Sequence, residues 1–234
     1  TKRNLNLFIV FSGICIGTIA LLGDFGTALI FFAAFIVIAF IRSGDLATIS
    51  LIIAGTGFAG FLALRIKPYI ADRFSAWLHV WDYAHSLGYQ QTRTLMYAAS
   101  GGLLGLGAGK GFLKSITAAD TDLVFGVLCE EWGLIIAACC VISLICIALY
   151  TVRCSRASRS SFYVIASCAS ITMLLFQTAL NVFGSVDFLP LTGVTFPFIS
   201  NGGTSMISSW GLLAFIKAAD TRESLISKAL KEAA

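Results

Sequence analysis

Long stretches without a charged side chain constrain this chain more than any other feature of its sequence. Five such runs approach the ~20 apolar residues that a helix needs to cross a bilayer, and a sixth lies within residues 188–216. The five are residues 5–22, 25–41, 46–64, 132–152 and 162–183. They lack the alternation of apolar and polar residues that is typical of membrane β-strands. The sequence therefore predicts an all-α, polytopic helix bundle in a membrane.

The basic residues that lie between these runs predict one topology. They precede the first run, separate the second from the third, fill the loop after residue 152 and recur in the tail, as Lys2, Arg3, Arg42, Arg153, Arg156, Arg159, Arg222, Lys228 and Lys231. Cytoplasmic loops are enriched in Lys and Arg, so we expect a cytoplasmic N-terminus. The predicted domains are three membrane helices (1–64), a large external loop with interfacial helices (65–121), three more membrane helices (122–219) and a cytoplasmic tail (220–234).

The external loop is rich in aromatic and basic residues. The chain as a whole is too apolar for a soluble domain, since only 12% of its residues are charged. Soluble domains carry roughly 25% charged residues. Interleaved aromatic and basic side chains are found in proteins that bind nucleic acids, but they are also typical of segments at headgroup depth. Because the loop lies between membrane runs, we expect the membrane as its partner and no nucleic acid.

Four acids crowd the boundary between this loop and the next apolar run: Asp120, Asp122, Glu130 and Glu131. Ionisable side chains at a membrane mark a functional site by default. Neighbouring helical residues point about 100° apart, so at most one of the two glutamates is expected to face the same cavity as Asp122, and a structural role for the pair is favoured. A fifth acid, Asp24, stands alone between two runs, either as a helix N-cap or as a carboxylate lining an outward-facing cavity.

Other polar residues leave a choice of roles. Residues 100–111 have a GxGxxG-like spacing, but they follow no strand and open no βαβ unit, so a nucleotide site is not supported. Lys110 and Lys114 either contact an anionic ligand or are solvated.

Ser200 to Ser205 open the last helix, whose N-terminus either holds an anionic oxygen or is simply capped and tightly packed. Gln177 and Asn181 share a helix face and more often bond to neighbouring helices.

Four blocks of the sequence carry a resemblance to a known family. GDFGTALI (23–30) resembles its QPDLGTA block, and LGYQ (87–90) its GYQ block. SGGLLGLGAGKGFLKS followed by TDLVFGVLCEEWGLI resembles its glycine-rich loop and its HTDFIFA..EE.G.IG motif, and LPLTGVTFPFISNGG resembles LP..G..LPF.SYGG. The chain thus resembles the SEDS family (shape, elongation, division and sporulation) over nearly its whole length. Asp120 replaces the usual His, and Asn201 the usual Tyr.

The resemblance implies a bundle of roughly ten membrane helices, of which the six runs fit the C-terminal part. It also implies a peptidoglycan glycosyltransferase of the bacterial cytoplasmic membrane, active face outward, that polymerises lipid II onto a nascent glycan for cell shape, division or sporulation. A class B penicillin-binding protein is the implied partner. Asp122 matches the acid of the HTDF motif and is the candidate general base.

The remaining site residues follow from the same resemblance. Asp24 matches the acid of QPDLGTA and is expected to hold a divalent cation, Mg or Mn, or a cavity lysine. The other candidate substrate contacts are Gln90, Lys110, Lys114, Thr121, Ser200, Gly202, Gly203 and Thr204.

Two alternative functions remain open from the sequence. Intramembrane polar residues and broken helices are also typical of transporters, so a flippase for lipid-linked precursors is one alternative, although no internal repeat supports it. An inactive scaffold fragment of the same family is the other.

Overall fold

The computed structural model describes residues 2–46, 50, 52–57, 75–157 and 160–220, and within them the chain is all-helical. The longer helices whose bounds lie within the described residues are α1 (Lys2–Leu21), α2 (Phe25–Ser43), α3 (Tyr89–Gly101), α4 (Val124–Glu131), α5 (Gly133–Ala157), α6 (Ser161–Ser185) and α7 (Gly203–Ala218). A 3₁₀ turn, Leu113–Ser115, lies between α3 and α4. The predicted all-α fold is confirmed.

Three of the described helices are long and apolar enough to cross a membrane: Phe25–Ser43, Gly133–Arg156 and Ser161–Ser185. They contain the predicted runs 25–41 and 162–183 and nearly all of 132–152. The first run lies on α1, where Leu7–Leu21 forms a shorter apolar helix. Most of run 46–64 lies outside the described residues. The domain boundaries at residues 64, 121 and 219 remain predictions.

The last predicted run is helical only in its second half. Pro190 and Pro197 interrupt the segment after α6, since proline lacks an amide hydrogen and clashes with the preceding turn of a helix. Residues 190–196 have no regular secondary structure, and α7 begins at Gly203. This irregular segment approaches the loop that carries Asp122.

Helix α6 is the centre of the bundle and packs against α2, α5 and α7. Its buried face includes Leu174, Leu180 and Asn181. Leu174 lies in a core cluster with Ile216 of α7, and Leu180 in a second cluster with Ile30 of α2. By contrast, α5 exposes large apolar side chains along its outer face: Ile135, Ile142, Ile145 and Leu149. A long helix that is apolar on its outer surface is expected to face lipid.

The segment that contains residues 77–91 is bonded to the C-terminal end of α6 and to the residues that follow it. The indole nitrogen of Trp77 donates a hydrogen bond to the carbonyl of Phe188 (3.1 Å), and the amide of Gln91 donates to the carbonyl of Gly184 (2.9 Å). Leu78 donates its backbone N–H to the carboxylate of Asp187 (3.4 Å). Burial raises the pKa of Asp187, an effect opposed by this hydrogen bond and by nearby His79. These contacts fix residues 77–91 relative to the bundle.

Candidate functional site

Asp122 ends a series of tight turns that leads into α4. Its N–H donates to the carbonyl of Ala118 (3.0 Å), as does the N–H of Leu123 (3.3 Å). Ala118 has a positive φ of 65°, which lets the chain reverse immediately before the acid. The side chain of Asp122 is half-buried. The acid therefore lies at the edge of the bundle, on a turn fixed by its own backbone.

Asn181, on the buried face of α6, holds this turn from the side of the bundle. Its side-chain nitrogen donates to the carbonyl of Asp122 (2.9 Å) and to the carbonyl of Val194 (2.7 Å). The residue is only 2% exposed. Its side-chain oxygen is buried and has no hydrogen-bond partner among the described residues. Asn181 thus joins the acid-bearing turn to the irregular segment after α6.

Gly193 forms the surface against which the Asp122 carboxylate lies. A Cβ placed on Gly193 would be 3.3 Å from Oδ2 of Asp122, closer than ordinary van der Waals contact. The glycine also has a φ of +73°, a conformation that side-chain-bearing residues rarely adopt. Glycine at this position provides both the backbone turn and the space beside the acid.

Two further hydrogen bonds join the same two segments. The hydroxyl of Ser200 donates to the carbonyl of Thr121 (2.6 Å) and accepts from the N–H of Phe196 (2.7 Å). The N–H of Asn201 donates to the carbonyl of Asp120 (2.9 Å). The TDLVF block and the LPLTGVTFPFISNGG block, far apart in sequence, thus form one structural unit around Asp122.

Glu130 and Glu131 bind the glycine-rich loop that precedes Asp122. The carboxylate of Glu130, which is fully buried, accepts the N–H groups of Phe112 (2.7 Å) and Leu113 (2.9 Å). The carboxylate of Glu131 accepts those of Gly109 (2.8 Å) and Gly111 (3.2 Å). Although they are adjacent in a helix, both acids reach the same loop, because it curls around the end of α4. Their role here is structural.

Gly111 lies between these two carboxylates and leaves no room for a side chain. A Cβ there would be 2.7 Å from Cγ of Glu131 and 2.8 Å from Oε2 of Glu130. The loop and the acid pair are therefore matched in shape. We call the contacts of Glu130 and Glu131 with residues 109–113 the carboxylate clamp.

The other candidate residues on this loop differ in their surroundings. Lys114 donates to the carbonyl of Gly109 (2.5 Å) and its Nζ lies 3.8 Å from the Glu131 carboxylate, so it contacts both sides of the clamp. Lys110 is exposed and forms no ion pair within the described part of the chain. The amide of Gln90 donates to the carbonyl of Thr117 (3.1 Å), and the hydroxyl of Thr121 donates to that of Ala118 (3.2 Å). Lys110 is therefore the better placed of the two lysines to contact a ligand.

The start of α7 carries three more candidates. Gly202 precedes the helix without a side-chain cap, and Gly203 and Thr204 are exposed in its first turn. The next residue, Ser205, shares a hydrogen bond with Thr195 (2.7 Å), whose hydroxyl also accepts from Gln177 (2.8 Å). The α7 terminus is therefore held to α6 by hydroxyl and amide groups.

Asp24 caps α2 rather than joining the other acids. Its Oδ1 accepts the N–H of Thr27 (3.0 Å) at the first turn of the helix, and the residue is exposed. Among the residues that the structure describes, no three His, Cys, Asp or Glu side chains lie close enough together to hold a metal ion. The divalent cation at Asp24 therefore remains a prediction.

An apolar groove of about 390 Å³ lies between α3, α4 and the adjoining ends of α5 and α6. Leu95, Ala98, Phe125 and Leu134 are among its lining residues. Asp122 does not line it. The groove is therefore separate from the acid site.

The sequence did not predict two features of the site. One is Gly193 beside the acid, and the other is the hydrogen bond from Asn181 to Asp122. Gly193 lies in the LPLTG block, where a glycine between Thr and Val is a signal for a special backbone conformation. Asn181 was expected to bond to neighbouring helices, but its two partners are carbonyls of irregular segments. Only the folded chain brings these partners to one side chain.

The fold and this site define a polytopic helical membrane protein with an acid-bearing loop held at one end of its bundle. Residues 1–225 match the profile of the FtsW, RodA and SpoVE family, described as "Cell cycle protein". The chain belongs to this family, and the resemblance to the SEDS proteins is confirmed.

Curated relatives carry the names of enzymes that make peptidoglycan. The chain is 31% identical over 200 residues to "Peptidoglycan glycosyltransferase RodA" of Mycobacterium leprae, covering 82% of this chain and 42% of the relative. It is 31% identical over 202 residues to "Probable peptidoglycan glycosyltransferase FtsW" of Borreliella burgdorferi, covering 85% and 55%. The chain therefore spans about half the length of the curated relatives it matches.

A solved chain from a peptidoglycan synthase complex has the same fold. That structure, described as "Structural coordination of polymerization and crosslinking by a peptidoglycan synthase complex", aligns with a TM-score of 0.66 and 24% identity. The alignment covers 92% of this chain and 61% of the other. At this identity the likeness shows the fold alone.

Proposed function

We propose that the protein is a peptidoglycan glycosyltransferase that polymerises lipid II in the bacterial cytoplasmic membrane, with its active face outward. The observation that carries this proposal is the meeting of two motif blocks around one acid. Asp122 is held by Asn181, lies against Gly193 and follows a turn fastened by Ser200. The names of the RodA and FtsW relatives support the same activity.

In the proposed reaction Asp122 is the general base. A hydroxyl of the sugar acceptor forms a bond to the anomeric carbon of the donor, the bond from that carbon to the diphosphate breaks, and the polyprenyl diphosphate leaves. Asp122 takes the proton of the attacking hydroxyl, a role that typically contributes 10²–10⁴-fold to rate. The negative charge that develops on the diphosphate needs a cation nearby. Lys110 is exposed on the same loop and, unlike Lys114, forms no ion pair within the described residues.

The partner that fits this activity is a class B penicillin-binding protein, which cross-links the glycan. Support comes from the peptidoglycan synthase complex whose chain shares this fold. Co-purification of the full-length protein with a tagged transpeptidase from the same cell tests the pairing. Recovery of the protein without any transpeptidase would contradict it.

The experiment that tests the activity replaces Asp122 with Asn in the full-length protein and measures polymerisation of purified lipid II on gels. We expect a loss of ~100-fold or more. Asp120→Asn is the matched control, because it removes the same charge two residues away on an exposed side chain and keeps the carbonyl that Asn201 binds. Its rate should stay within about threefold of wild type, since neutralising an exposed charge has a small effect.

Wild-type rates in Asp122→Asn at normal expression would refute the assignment of the base. An assay for translocation of fluorescent lipid II in vesicles separates the flippase alternative. Translocation without polymer formation by the wild-type protein would replace the glycosyltransferase proposal.

A further inference from the structure

We propose that Asn181 is a positioning residue for Asp122, acting through the backbone on both sides of the acid. The inference rests on the proposed function, in which Asp122 is the base. Each of the two hydrogens of the Asn181 amide has its own carbonyl acceptor, in Asp122 and in Val194. A side-chain amide has two such donors and no more, so its donor capacity is fully used in joining these segments.

The two acceptors bracket the Asp122 carboxylate. One is the carbonyl of Asp122 itself, and the other belongs to the residue after Gly193, whose backbone lies against Oδ2. Asn181 therefore fixes the acid and the surface beside it relative to the same 25-residue helix. Loss of the amide frees both segments at once, and the distance between the carboxylate and a bound hydroxyl is no longer set.

The unpaired oxygen of Asn181 argues against a role in stability alone. This oxygen is buried without a partner among the described residues, and burying an unpaired acceptor costs free energy. Leucine has a similar size and would avoid this cost in a packed helix face. The presence of an amide at position 181 is thus explained by the two hydrogen bonds that its nitrogen donates, rather than by packing.

Gln177 offers a matched control one turn earlier on the same helix. Its amide also bonds to the segment after α6, but its partner is the hydroxyl of Thr195, which keeps a second partner in Ser205. Gln177→Leu therefore removes a similar amide from α6 and leaves the two contacts of Asn181 in place. A difference between the two variants isolates the contact with Asp122.

The first experiment compares Asn181→Leu and Gln177→Leu in the full-length protein in nanodiscs, measuring kcat and KM for lipid II and the thermal midpoint. We expect Asn181→Leu to lower kcat by ~10–100-fold with little change in KM, because small misplacement of a reacting group has effects of this size. Gln177→Leu should lower kcat far less at a comparable thermal midpoint. Equal losses of kcat in the two variants would overturn the positioning role.

A second readout does not depend on activity. Hydrogen exchange of peptides covering residues 118–123 and 192–196 should be faster in Asn181→Leu than in Gln177→Leu. In an Asp122→Asn background, Asn181→Leu should cause no further loss of the residual rate, since its effect passes through Asp122. A multiplicative further loss, or unchanged exchange, would contradict the inference.

The two proposals fail in different ways. If Asp122→Asn retains wild-type activity, the assignment of the base falls and the positioning role falls with it. If Asp122→Asn is inactive while Asn181→Leu and Gln177→Leu behave alike, only the role of Asn181 is overturned.

Discussion

The carboxylate of Asp122 lies against the backbone of Gly193, so closely that a Cβ on the glycine would be 3.3 Å from Oδ2. The acid and the glycine are 71 positions apart in the chain (193 minus 122). They meet because Asn181, Ser200 and Asn201 bond the turn that carries Asp122 to α6 and to the segment that carries Gly193. This arrangement makes the space beside the acid sensitive to changes in a residue that carries no functional group.

Gly193→Ala is expected to lower the rate of lipid II polymerisation by ~10-fold or more, because the added methyl displaces the carboxylate. Its φ of +73° also makes alanine unfavourable there by about 1–2 kcal/mol. Gly211→Ala in α7 is the control, since its Cβ would meet nothing within 4 Å. Rates and thermal midpoints of the two variants are compared, and equal rates would contradict the prediction.

Glu130→Gln is expected to loosen the carboxylate clamp more than Glu131→Gln. The Glu130 carboxylate accepts two backbone N–H groups in a fully buried site. In glutamine one of the two oxygens is replaced by an NH₂ group, so one of these N–H groups faces another donor and loses its hydrogen bond. Hydrogen bonds to a charged group contribute about 1.5–3 kcal/mol each, so amides 109–113 should exchange at least ~10-fold faster. The Glu131 side chain is 11% exposed, so water can replace the hydrogen bond that Glu131→Gln removes. Hydrogen exchange measured by mass spectrometry tests the order, with Asp82→Asn as an exposed control.

Ser200→Ala is expected to destabilise the protein by about 2 kcal/mol, since it leaves a buried N–H of Phe196 and the carbonyl of Thr121 without their partner. Ser208→Ala, on an exposed part of α7, should be neutral. Thermal midpoints in detergent or nanodiscs measure the difference. Identical midpoints for the two variants would show that the junction does not depend on the hydroxyl.

Asp24 variants distinguish a cap from a cation ligand. Because asparagine caps helices as well as aspartate, Asp24→Asn should keep the thermal midpoint, whereas Asp24→Ala should cost about 1 kcal/mol. If Asp24 acts only as a cap, the dependence of polymerisation on Mg²⁺ or Mn²⁺ is the same in Asp24→Asn as in the wild type. A shift in that dependence would instead support the predicted cation at Asp24.

Asp187 predicts a dependence of stability on pH. Its pKa in the folded protein is raised by burial, so the folded state holds a proton at pH values where the unfolded state has lost it. Its contribution to stability therefore rises as the pH falls through this range and is lost as the pH rises. Asp187→Asn keeps the acceptor for Leu78 and should remove this contribution. Thermal midpoints of both proteins between pH 3 and 7 test the sign.

The sequence was sufficient for the helices because their signal is local. A charge-free run such as 162–183 specifies a membrane helix by length and composition alone, and α6 extends only a few residues beyond it. The motif blocks also predict Asp122 and Ser200 as site residues. In these cases residue type and neighbours carried the information.

The contacts that form the site are seen only in the folded chain. Whether Glu130 and Glu131 face one cavity depends on the course of a loop 20 residues earlier, which helical spacing does not describe. The preference of Asn181 for backbone carbonyls of two distant segments is likewise not encoded near position 181. Contacts between irregular segments follow from the packing of α6 and α7, and single-residue patterns contain no record of that packing.

The turn that carries Asp122 is bonded to the segment after α6 through its own main-chain carbonyls, so these bonds do not depend on the side chains of the turn. Ser200 bonds to the carbonyl of Thr121, and the N–H of Asn201 bonds to the carbonyl of Asp120. Every residue supplies that carbonyl, and every residue except proline supplies that N–H. The aspartate at 120 and the asparagine at 201, which depart from the motifs that the chain resembles, therefore keep both of these bonds. Positions 120 and 201 are free to diversify the surface beside the acid without disturbing its placement.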